Sequence, residues 1–322
     1  MSTSNIEWTD DTPNPVVGCT KCSAGCENCY AIRMAWRLMH SDKPTVAKKY
    51  EGTVQKTAGG KLNWTGRINI DHGAMARVIK EKKPKMYFVN SMGDLFHPSV
   101  PFAEIDTVFA AMAIAHWHIF QILTKHPDRM LSWLNHVEFD RDTYARVKSK
   151  RWEYWGDNEM LFAPFPLKNV WMGTSVENQK EANTRREYLK SVAVKDWLTW
   201  VSNEPALGTI DWTGWEFIKW LVTGGESGPD SRPIHPQWAR QARDFCAANN
   251  IPFFFKQWGA WGEWQPCVTS KTKSGEITVD GSFLKKNEHV DDGSIRIYKI
   301  GKHNAGRLLD GKLYDEFPSK KH

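Results

Sequence analysis

Short apolar runs alternate with helical patterns through the middle of the chain, and this alternation restricts the fold more than any other feature. The runs are almost continuously apolar, which is typical of strands covered on both faces of a parallel sheet. The strand candidates are Met86–Asn90, His118–Thr124, Asn169–Ser175, Trp197–Ser202, Trp220–Thr223 and Pro252–Lys256. The helix candidates between them are Cys29–Met39, Pro101–Ala115, Pro127–Leu134, Asn178–Ser191 and Pro236–Asn249.

Two further short runs, Pro15–Gly18 and Arg67–Ile70, are candidate strands at the front of the chain. Six to eight parallel strands with intervening helices in about 260 residues predict an α/β fold, a full or partial (β/α) barrel. A doubly wound open sheet is the alternative, because strand count alone does not separate the two architectures.

The barrel domain is predicted to cover residues 1–265. Two segments of the chain depart from the alternation of strands and helices. A polar and aromatic stretch at about 135–168 indicates an insertion in a βα loop. Residues 266–322 are predicted to form a C-terminal appendage packed on the barrel. Turn signals at Asp280-Gly281 and Asp292-Gly293 indicate that this appendage contains a β-hairpin.

Composition and charge exclude several classes of protein. Hydrophobic residues make up 41% of the chain and charged residues 25%, which excludes disordered and fibrous classes. No run approaches the roughly 18 apolar residues of a membrane helix, and no signal peptide is visible, so we expect a soluble cytoplasmic protein without a membrane partner. The net charge of +6 fits a nucleic-acid partner without requiring one.

The strongest chemical signal is a group of four cysteines, Cys19, Cys22, Cys26 and Cys29. Dense cysteines in a cytosolic chain indicate metal or redox chemistry in preference to disulfides. A structural zinc site usually pairs two well-separated C-x2-C motifs, and here only three residues separate the two. The spacing of Cys22, Cys26 and Cys29, followed by Tyr30, resembles the radical S-adenosylmethionine motif. In such proteins three cysteines hold a [4Fe–4S] cluster and S-adenosylmethionine binds the fourth iron.

Ordered segments along nearly the whole chain match one known family. They are Asn5–Asp10, Asn14-Pro15, Gly18–Lys21, Gly25–Ala31, Ser91–His97, Leu123–Lys125, Gly173–Glu177, Glu204-Pro205, Gly224–Gly228, Phe253–Gly259 and Ala305–Gly311. These segments resemble the phage-associated three-Cys-motif family, which occurs in phages and bacterial genomes and is grouped with radical S-adenosylmethionine proteins. The resemblance implies a barrel of the radical S-adenosylmethionine type in a bacterial host cell, with a [4Fe–4S] cluster and S-adenosylmethionine as cofactors and an electron-donor protein as partner.

The resemblance and the spacing disagree about one cluster ligand. The three cysteines of the family fall on Cys19, Cys26 and Cys29, whereas the spacing alone favours Cys22 in place of Cys19. Both assignments remain open at this point. Cys26 and Cys29 are common to them.

Polar residues follow six of the predicted strands, where they converge on one face of a (β/α) barrel. The predicted catalytic residues are Lys125, Glu177, Glu204 and Lys256. The predicted cofactor-binding residues are Tyr30, Ser91, Asp94, Thr124, Ser175, Glu177, Gly224, Gly225 and Glu226. Acids accept from the ammonium and ribose hydroxyls of S-adenosylmethionine, lysines pair with a carboxylate or phosphate, and glycines permit close backbone approach. Trp258 and Trp261 are candidate walls for an adenine or a base.

Three functions follow from these features. The first is a radical S-adenosylmethionine enzyme that generates a 5′-deoxyadenosyl radical and acts on a small molecule, a nucleotide or a nucleic-acid base. The alternative is a nucleic-acid-binding protein with a structural zinc or iron–sulfur cluster, supported by basic and aromatic residues of the insertion. These residues are Arg146, Lys148, Lys150, Arg151, Trp152 and Trp155. A redox-sensing or electron-transfer module is the third, and it leaves the strand-end acids unexplained.

Overall fold

The computed structural model describes residue 4 and residues 6–139, 165–263, 265–284 and 293–319. The strands are β1 (Val16–Val17), β2 (Val54–Lys56), β3 (Leu62–Trp64), β4 (Asn69–Ile70), β5 (Met86–Val89), β6 (Ile119–Thr124), β7 (Val170–Ser175), β8 (Leu198–Asn203), β9 (Leu221–Gly224), β10 (Phe253–Gln257), β11 (Trp261–Gly262), β12 (Ser274–Ile277), β13 (Phe283–Leu284) and β14 (Ile295–Lys299). The helices are α1 (Tyr30–Met39), α2 (Pro44–Tyr50), α3 (Gly73–Lys80), α4 (Phe102–Ile114), α5 (Pro127–Phe139), α6 (Gln179–Val194), α7 (Pro236–Ala248) and α8 (Lys302–Ala305).

The central sheet has six parallel strands in the order β5-β6-β7-β8-β9-β10, the same order as in the chain. It curls into a half-barrel, and this confirms the predicted partial (β/α) barrel. The sequential order contains no reversal of the kind that defines a doubly wound sheet, so that alternative is wrong. Helices α4, α5, α6 and α7 lie between successive strands along the chain, as the apolar runs and helical patterns predicted.

Local sequence signals fix the starts of the connecting helices. Asn178 precedes α6, and its side chain accepts a hydrogen bond from the Glu181 amide at 3.1 Å, which satisfies a donor of the first turn. Helix α7 begins at Pro236, whose ring suits the first helical position because that position needs no amide donor. These caps position the strand-to-helix loops at the carboxyl edge of the sheet.

Tryptophan side chains fill the inner face of the half-barrel. Trp8, Trp171, Trp200 and Trp220 are buried together with Phe254. Their rings meet mainly edge to face; the centroids of Trp8 and Trp200, for example, lie 5.4 Å apart. The opposite face of the sheet packs against the helices as a second apolar cluster. Burial in the core accounts for much of the unusual tryptophan content.

Chain segments from both ends cover the edges of the sheet. On the β5 side, the Phe88 amide donates to the carbonyl of Asp11 at 3.0 Å. On the β10 side, the Phe255 amide donates to the carbonyl of Tyr314 at 3.0 Å. Exposed strand edges are prone to pair with other chains, so these segments protect the half-barrel.

The candidate strands at the front do not join the parallel sheet. They form β1 and β4, which pair antiparallel with each other, Val16 opposite Ile70 and Val17 opposite Asn69. With two residues each, they are too short to extend the main sheet, and the chain near β1 meets it through isolated bridges such as Gly18 with Gly93.

The C-terminal region contains a four-stranded antiparallel sheet in the order β11-β14-β12-β13, which includes Trp261–Gly262. Strands β12 and β13 form a hairpin, and Gly281 in its turn has a φ of +96°. The turn predicted at Asp292-Gly293 lies partly outside the described residues. Most of the predicted insertion at about 135–168 also lies outside them, because the structure describes α5 as far as Phe139 and then the chain from residue 165. Within the described chain, no helix combines the length and apolar character needed to cross a membrane.

Candidate functional site

A cavity of about 260 Å³ lies at the carboxyl ends of the six parallel strands, the face where active sites of (β/α) barrels form. The sequence-predicted residues that line it are Cys19, Cys22, Cys26, Cys29, Tyr30, Ser91, Asp94, Thr124, Lys125, Ser175, Glu204, Gly225, Glu226 and Lys256. Glu177 and Gly224 are not among its lining residues. Glu177 is fully buried against the cysteine loop (residues 18–30), and Gly224 packs against the Glu204 carboxylate.

Side chains from distant loops hold the cysteine loop over the strand ends. The Asn28 amide donates to Glu226 Oε2 at 2.9 Å, and Arg232 Nη2 donates to the Ala24 carbonyl at 3.0 Å. Ser23 Oγ donates to Glu177 Oε1 at 2.8 Å. A Cβ atom on Gly25 would lie 2.6 Å from the Glu177 side chain, so this close approach requires glycine.

Of the four loop cysteines, Cys26 is the one whose surroundings favour the thiolate. A hydrogen bond from Cys22 and the neighbouring Lys125 ammonium lower the pKa of the Cys26 thiol, and they outweigh the opposing effect of its burial. The Lys125 Nζ lies 3.5 Å from Cys26 Sγ, and Ser23 Oγ lies 3.6 Å from it. Cys26 therefore has the environment of a thiolate, the form in which cysteine binds metals.

The other thiols of the loop favour the protonated form in the metal-free chain. Burial raises the pKa of Cys19 and of Cys29, and the hydrogen bond to Cys26, with burial, raises that of Cys22. All four cysteines line the same cavity. Cys22 is the exposed member of the group.

Among the residues that the structure describes, no three His, Cys, Asp or Glu side chains are grouped as ligands of a single metal ion. The donor chemistry of the loop nevertheless fits an iron–sulfur cluster, since four thiols line one cavity and cysteine thiolates are the usual ligands of such clusters. A cluster also spreads its ligands over several irons, so they lie farther apart than the ligands of one ion.

A buried charge network lies directly behind the cysteine loop. Glu177 Oε1 accepts from the Lys125 ammonium, and Glu177 Oε2 accepts from Arg185 Nη1 at 2.9 Å. Arg185 also pairs with Glu181 at 2.7 Å. Burial alone would raise the pKa of Glu177, but the two cations outweigh it and lower that pKa. Burial would likewise lower the pKa of Lys125, yet Glu177 and Cys26 raise it, so both groups stay charged.

Two of the predicted cofactor-binding acids, Asp94 and Glu226, already accept hydrogen bonds from several protein donors. Asp94 Oδ1 accepts from Thr124 Oγ1 at 2.7 Å, and Asp94 Oδ2 accepts from the Lys125 amide at 2.9 Å. This carboxylate ties the loop after β5 to the end of β6. Glu226 accepts from Arg232 through both oxygens, and Arg232 and Asn28 keep its pKa low despite burial. Both acids therefore stabilise the loops around the cavity.

Comparison with known proteins identifies a family. A family model described as "Protein of unknown function (DUF5131)" matches residues 3–318, nearly the whole chain. The chain belongs to the DUF5131 family. No curated protein matches it.

A solved structure similar to this DUF5131 protein is the EAL enzyme Bd1971 in its cAMP- and cyclic-di-GMP-bound form. The identity is 8%, and the match covers 57% of this chain and 40% of that one, with a TM-score of 0.24. The chain thus spans less than half the length of the enzyme it matches. The likeness is too weak to inform either the fold or the function.

Glu204 and Lys256 form a further ion pair in the DUF5131 cavity. Glu204 follows β8, and Lys256 lies on β10. The Lys256 ammonium lies 3.0 Å from Glu204 Oε1 and 3.2 Å from Glu204 Oε2. Tyr30 lies near this pair, and its hydroxyl donates to the Ser91 carbonyl at 2.8 Å. These side chains bring the end of β8, the end of β10 and the start of α1 to one side of the cavity.

The aromatic walls of the DUF5131 cavity differ from those predicted. Trp8 and Trp64 line it, whereas Trp258 and Trp261 line a second cavity of about 430 Å³ between α7 and the C-terminal region. Gly224, the last residue of β9, and Gly225 both lie close to other protein atoms. A Cβ on Gly225 would lie 2.0 Å from the Trp258 carbonyl oxygen, which requires glycine there.

Proposed function

We propose that this DUF5131 protein is a radical S-adenosylmethionine-type enzyme whose cysteine loop holds a [4Fe–4S] cluster. The observation that carries the proposal is the position of the four loop cysteines, which line one cavity at the carboxyl ends of a parallel half-barrel. When bound, the cluster and S-adenosylmethionine supply one-electron chemistry that yields a 5′-deoxyadenosyl radical, which abstracts hydrogen from a substrate.

The chain's own residues prepare the loop for such a cluster. Lys125 favours the thiolate of Cys26 at a distance of 3.5 Å. Glu177 holds Lys125 in place, and Arg185 holds Glu177 from the opposite side. Because all three charges are buried and paired, the positive charge next to the loop is fixed in the fold and does not depend on a bound ligand.

Burial supports Cys19, Cys26 and Cys29 as the three ligands. These residues are partly or fully buried, whereas Cys22 is exposed and shares a hydrogen bond with Cys26. We therefore assign the exposed Cys22 a supporting role toward Cys26. This assignment agrees with the resemblance to the phage-associated three-Cys-motif family.

The lining of the cavity bears on the substrate. Trp8, Phe88 and Leu123 give it an apolar wall on one side. An aromatic ring packs well on such a wall. We propose a small substrate such as a nucleotide or a single nucleic-acid base, and an electron-donor protein as partner in the cytoplasm of a bacterial host cell.

The test is the metal content and spectrum of anaerobically purified and reconstituted protein. We expect about four irons per chain, with matching sulfide, and a reduced-cluster EPR signal that changes when S-adenosylmethionine is added. We also expect 5′-deoxyadenosine after reduction. Cys19→Ser, Cys26→Ser and Cys29→Ser should lose the cluster, while Cys22→Ser should retain most of it. Cys267→Ser, an exposed cysteine outside the cavity, is the matched control.

A zinc-filled site would overturn this proposal. Zinc that iron does not replace, together with salt-dependent binding to DNA or RNA, would reject the radical chemistry and favour the nucleic-acid-binding alternative. The insertion residues that support this alternative, from Arg146 to Trp155, lie outside the described residues.

A further inference from the structure

The positive charge of the protein is concentrated in one segment of the chain. Residues 30–67, which we call the basic module, contain eight lysines and arginines and only two acids. The module therefore carries the whole net charge of +6, and the charges of the remaining chain balance. It consists of α1, α2 and the β2–β3 hairpin. So uneven a distribution indicates a surface that attracts an anionic partner.

Most of the cations in the module are exposed and have no acid beside them. Arg33 pairs with Asp230, and Lys49 pairs with Asp71 at 2.6 Å. The other six have no ion pair within the described chain, and all six are exposed: Arg37, Lys43, Lys48, Lys56, Lys61 and Arg67. Their charge is therefore free to pair with a partner.

Two of these lysines lie at the tip of the β2–β3 hairpin. Lys56 ends β2, and Lys61 precedes β3. An added Cβ on either Gly59 or Gly60 between them would meet no atom within 4 Å, so the tip lies in open space. The Lys56 ammonium also lies over the ring of Trp36, 5.4 Å from its centroid. The tip thus presents two cations, one of them over an aromatic ring.

The basic module adjoins the main cavity. Helix α1 begins directly after the cysteine loop, and its first residue, Tyr30, lines the cavity. Trp64, the last residue of β3, also lines it. A partner held by the exposed cations would therefore have part of its length beside aromatic side chains of the cavity.

Charge and aromatic character together select the class of partner. In a single-stranded nucleic acid the phosphates pair with lysines and arginines, and the bases stack on aromatic rings. The bases of a duplex are stacked inside it and do not reach an enclosed cavity. An acidic protein would match the charge of the module but would leave Tyr30 and Trp64 without a planar partner. The observations therefore favour a single strand.

We infer that the basic module binds the phosphodiester backbone of a single-stranded nucleic acid and brings one of its bases to the main cavity. This inference deepens the proposed function, on which it rests for the entry of a base into the cavity. The substrate is then a base within a polymer, and only that base occupies the cavity. DNA and RNA share this backbone chemistry.

Fluorescence anisotropy of labelled oligonucleotides with the full-length reconstituted protein, without reductant, tests the inference. The probes are single-stranded DNA and RNA of the same sequence, each of about 12 nucleotides. We expect binding that weakens as salt increases, and the tighter probe identifies the nucleic acid. Lys56→Gln with Lys61→Gln should weaken binding by about tenfold or more at low salt. It should also reduce the slope of log K against log salt by about 1.4, the effect of two lost phosphate contacts.

A matched control removes the same charge elsewhere. Lys80, at the end of α3, and Lys83, before β5, are exposed and lie outside the module. Lys80→Gln with Lys83→Gln should leave the affinity and the slope unchanged, and both double variants should keep the melting temperature because all four side chains are exposed. Equal losses in the two variants would overturn the inference. It would also be overturned if neither oligonucleotide binds and an acidic electron-donor protein binds in their place.

Photochemical crosslinking tests whether a base reaches the cavity. An oligonucleotide with one 5-iodouracil should crosslink on irradiation to Tyr30 or Trp64, which mass spectrometry of the peptides identifies. Crosslinks confined to residues outside the cavity would overturn the delivery of a base.

These results are independent of the proposed chemistry, because binding and crosslinking need no turnover. Absence of 5′-deoxyadenosine after reduction would reject the radical mechanism while leaving oligonucleotide binding by the module intact. Production of 5′-deoxyadenosine by a protein that binds no oligonucleotide would retain the mechanism and reject the role of the module.

Discussion

At the scale of single residues, Gly25 shows how a missing side chain places the cysteine loop. A Cβ at this position would lie 2.6 Å from the buried Glu177, which Lys125 and Arg185 hold in place. We expect Gly25→Ala to push the loop outward, to lower the free energy of unfolding by about 1–3 kcal/mol, and to reduce iron incorporation. Chemical denaturation and iron analysis measure both effects.

Gly59→Ala is the matched control for this prediction. An added Cβ on Gly59 meets no atom within 4 Å, and the residue has no positive φ. The substitution should be neutral or stabilising by about 0.4–1 kcal/mol, because alanine restricts the unfolded chain. Equal losses in the two variants would contradict the steric explanation.

Lys125 leads to a second prediction at this scale, about thiol reactivity in the metal-free protein. The Cys22 hydrogen bond and the Lys125 charge lower the pKa of Cys26, so Cys26 should react first with iodoacetamide in mildly acidic buffer. Lys125→Met removes a positive charge beside the thiolate, which raises the pKa of Cys26. At a pH at or below the Cys26 pKa of about 4, where the thiolate fraction follows the pKa, we expect its labelling rate to fall several-fold for a rise of roughly one pKa unit.

Mass spectrometry of labelled peptides measures this rate cysteine by cysteine. Lys85→Met, which removes an amine paired with Glu81 outside the cavity, should leave the rate unchanged. An unchanged rate in Lys125→Met would show that the Cys22 hydrogen bond alone determines the reactivity of Cys26.

At the scale of secondary-structure elements, strand β7 depends on a glycine that faces the barrel interior. A Cβ on Gly173 would lie 2.4 Å from the indole of Trp200 on β8, and Trp200 is fully buried. We expect Gly173→Ala to lower the free energy of unfolding by about 1–3 kcal/mol through overpacking. Trp200→Phe in the same chain should recover part of the loss, and a double-mutant cycle from denaturation curves measures the coupling. Strictly additive losses would contradict a direct contact between the two residues.

The elements that sequence predicted well are those with a strong local signal. The parallel strands were visible because both faces are covered, which makes runs such as Met86–Val89 continuously apolar. The antiparallel pairing of β1 with β4 was not predictable, since strands of two residues carry too little pattern to show a partner. The order of the main strands could be determined only from the structure. A sheet with sequential strand order and a doubly wound sheet give the same local sequence pattern.

The same limit applies to the candidate site. Polar residues after each strand were visible, and most of them line the cavity. Their partners were not, because Arg185 reaches Glu177 from a helix and Arg232 reaches Glu226 through a loop. No spacing in the sequence marks either arginine. Trp8 was missed as a wall because its segment precedes the first strand and enters the half-barrel through tertiary packing.

At the scale of the whole molecule, the half-barrel depends on segments from both chain ends. A closed barrel has no strand edges, whereas a half-barrel has two. Residues 10–13 run beside β5, and residues 314–316 run beside β10. Phe317 adds a stacked contact with Trp220, with ring centroids 5.3 Å apart. The C-terminal segment therefore closes an edge and also covers the tryptophan-filled interior.

This arrangement predicts the effect of ending the chain at Lys312. The Phe255 amide would lose the Tyr314 carbonyl at 3.0 Å, and the Phe253 amide would lose Glu316 Oε2 at 3.0 Å. Hydrogen exchange should show these two amides losing protection, while that of Ile122, on a central strand, changes far less. The uncovered edge should also promote association, which light scattering after size-exclusion chromatography measures. If the truncated chain does not fold, Phe317→Ser tests the same contact with the backbone pairs intact, and it should lower the melting temperature. Unchanged protection of Phe253 and Phe255 in the truncated protein would show that β10 needs no partner at its outer edge.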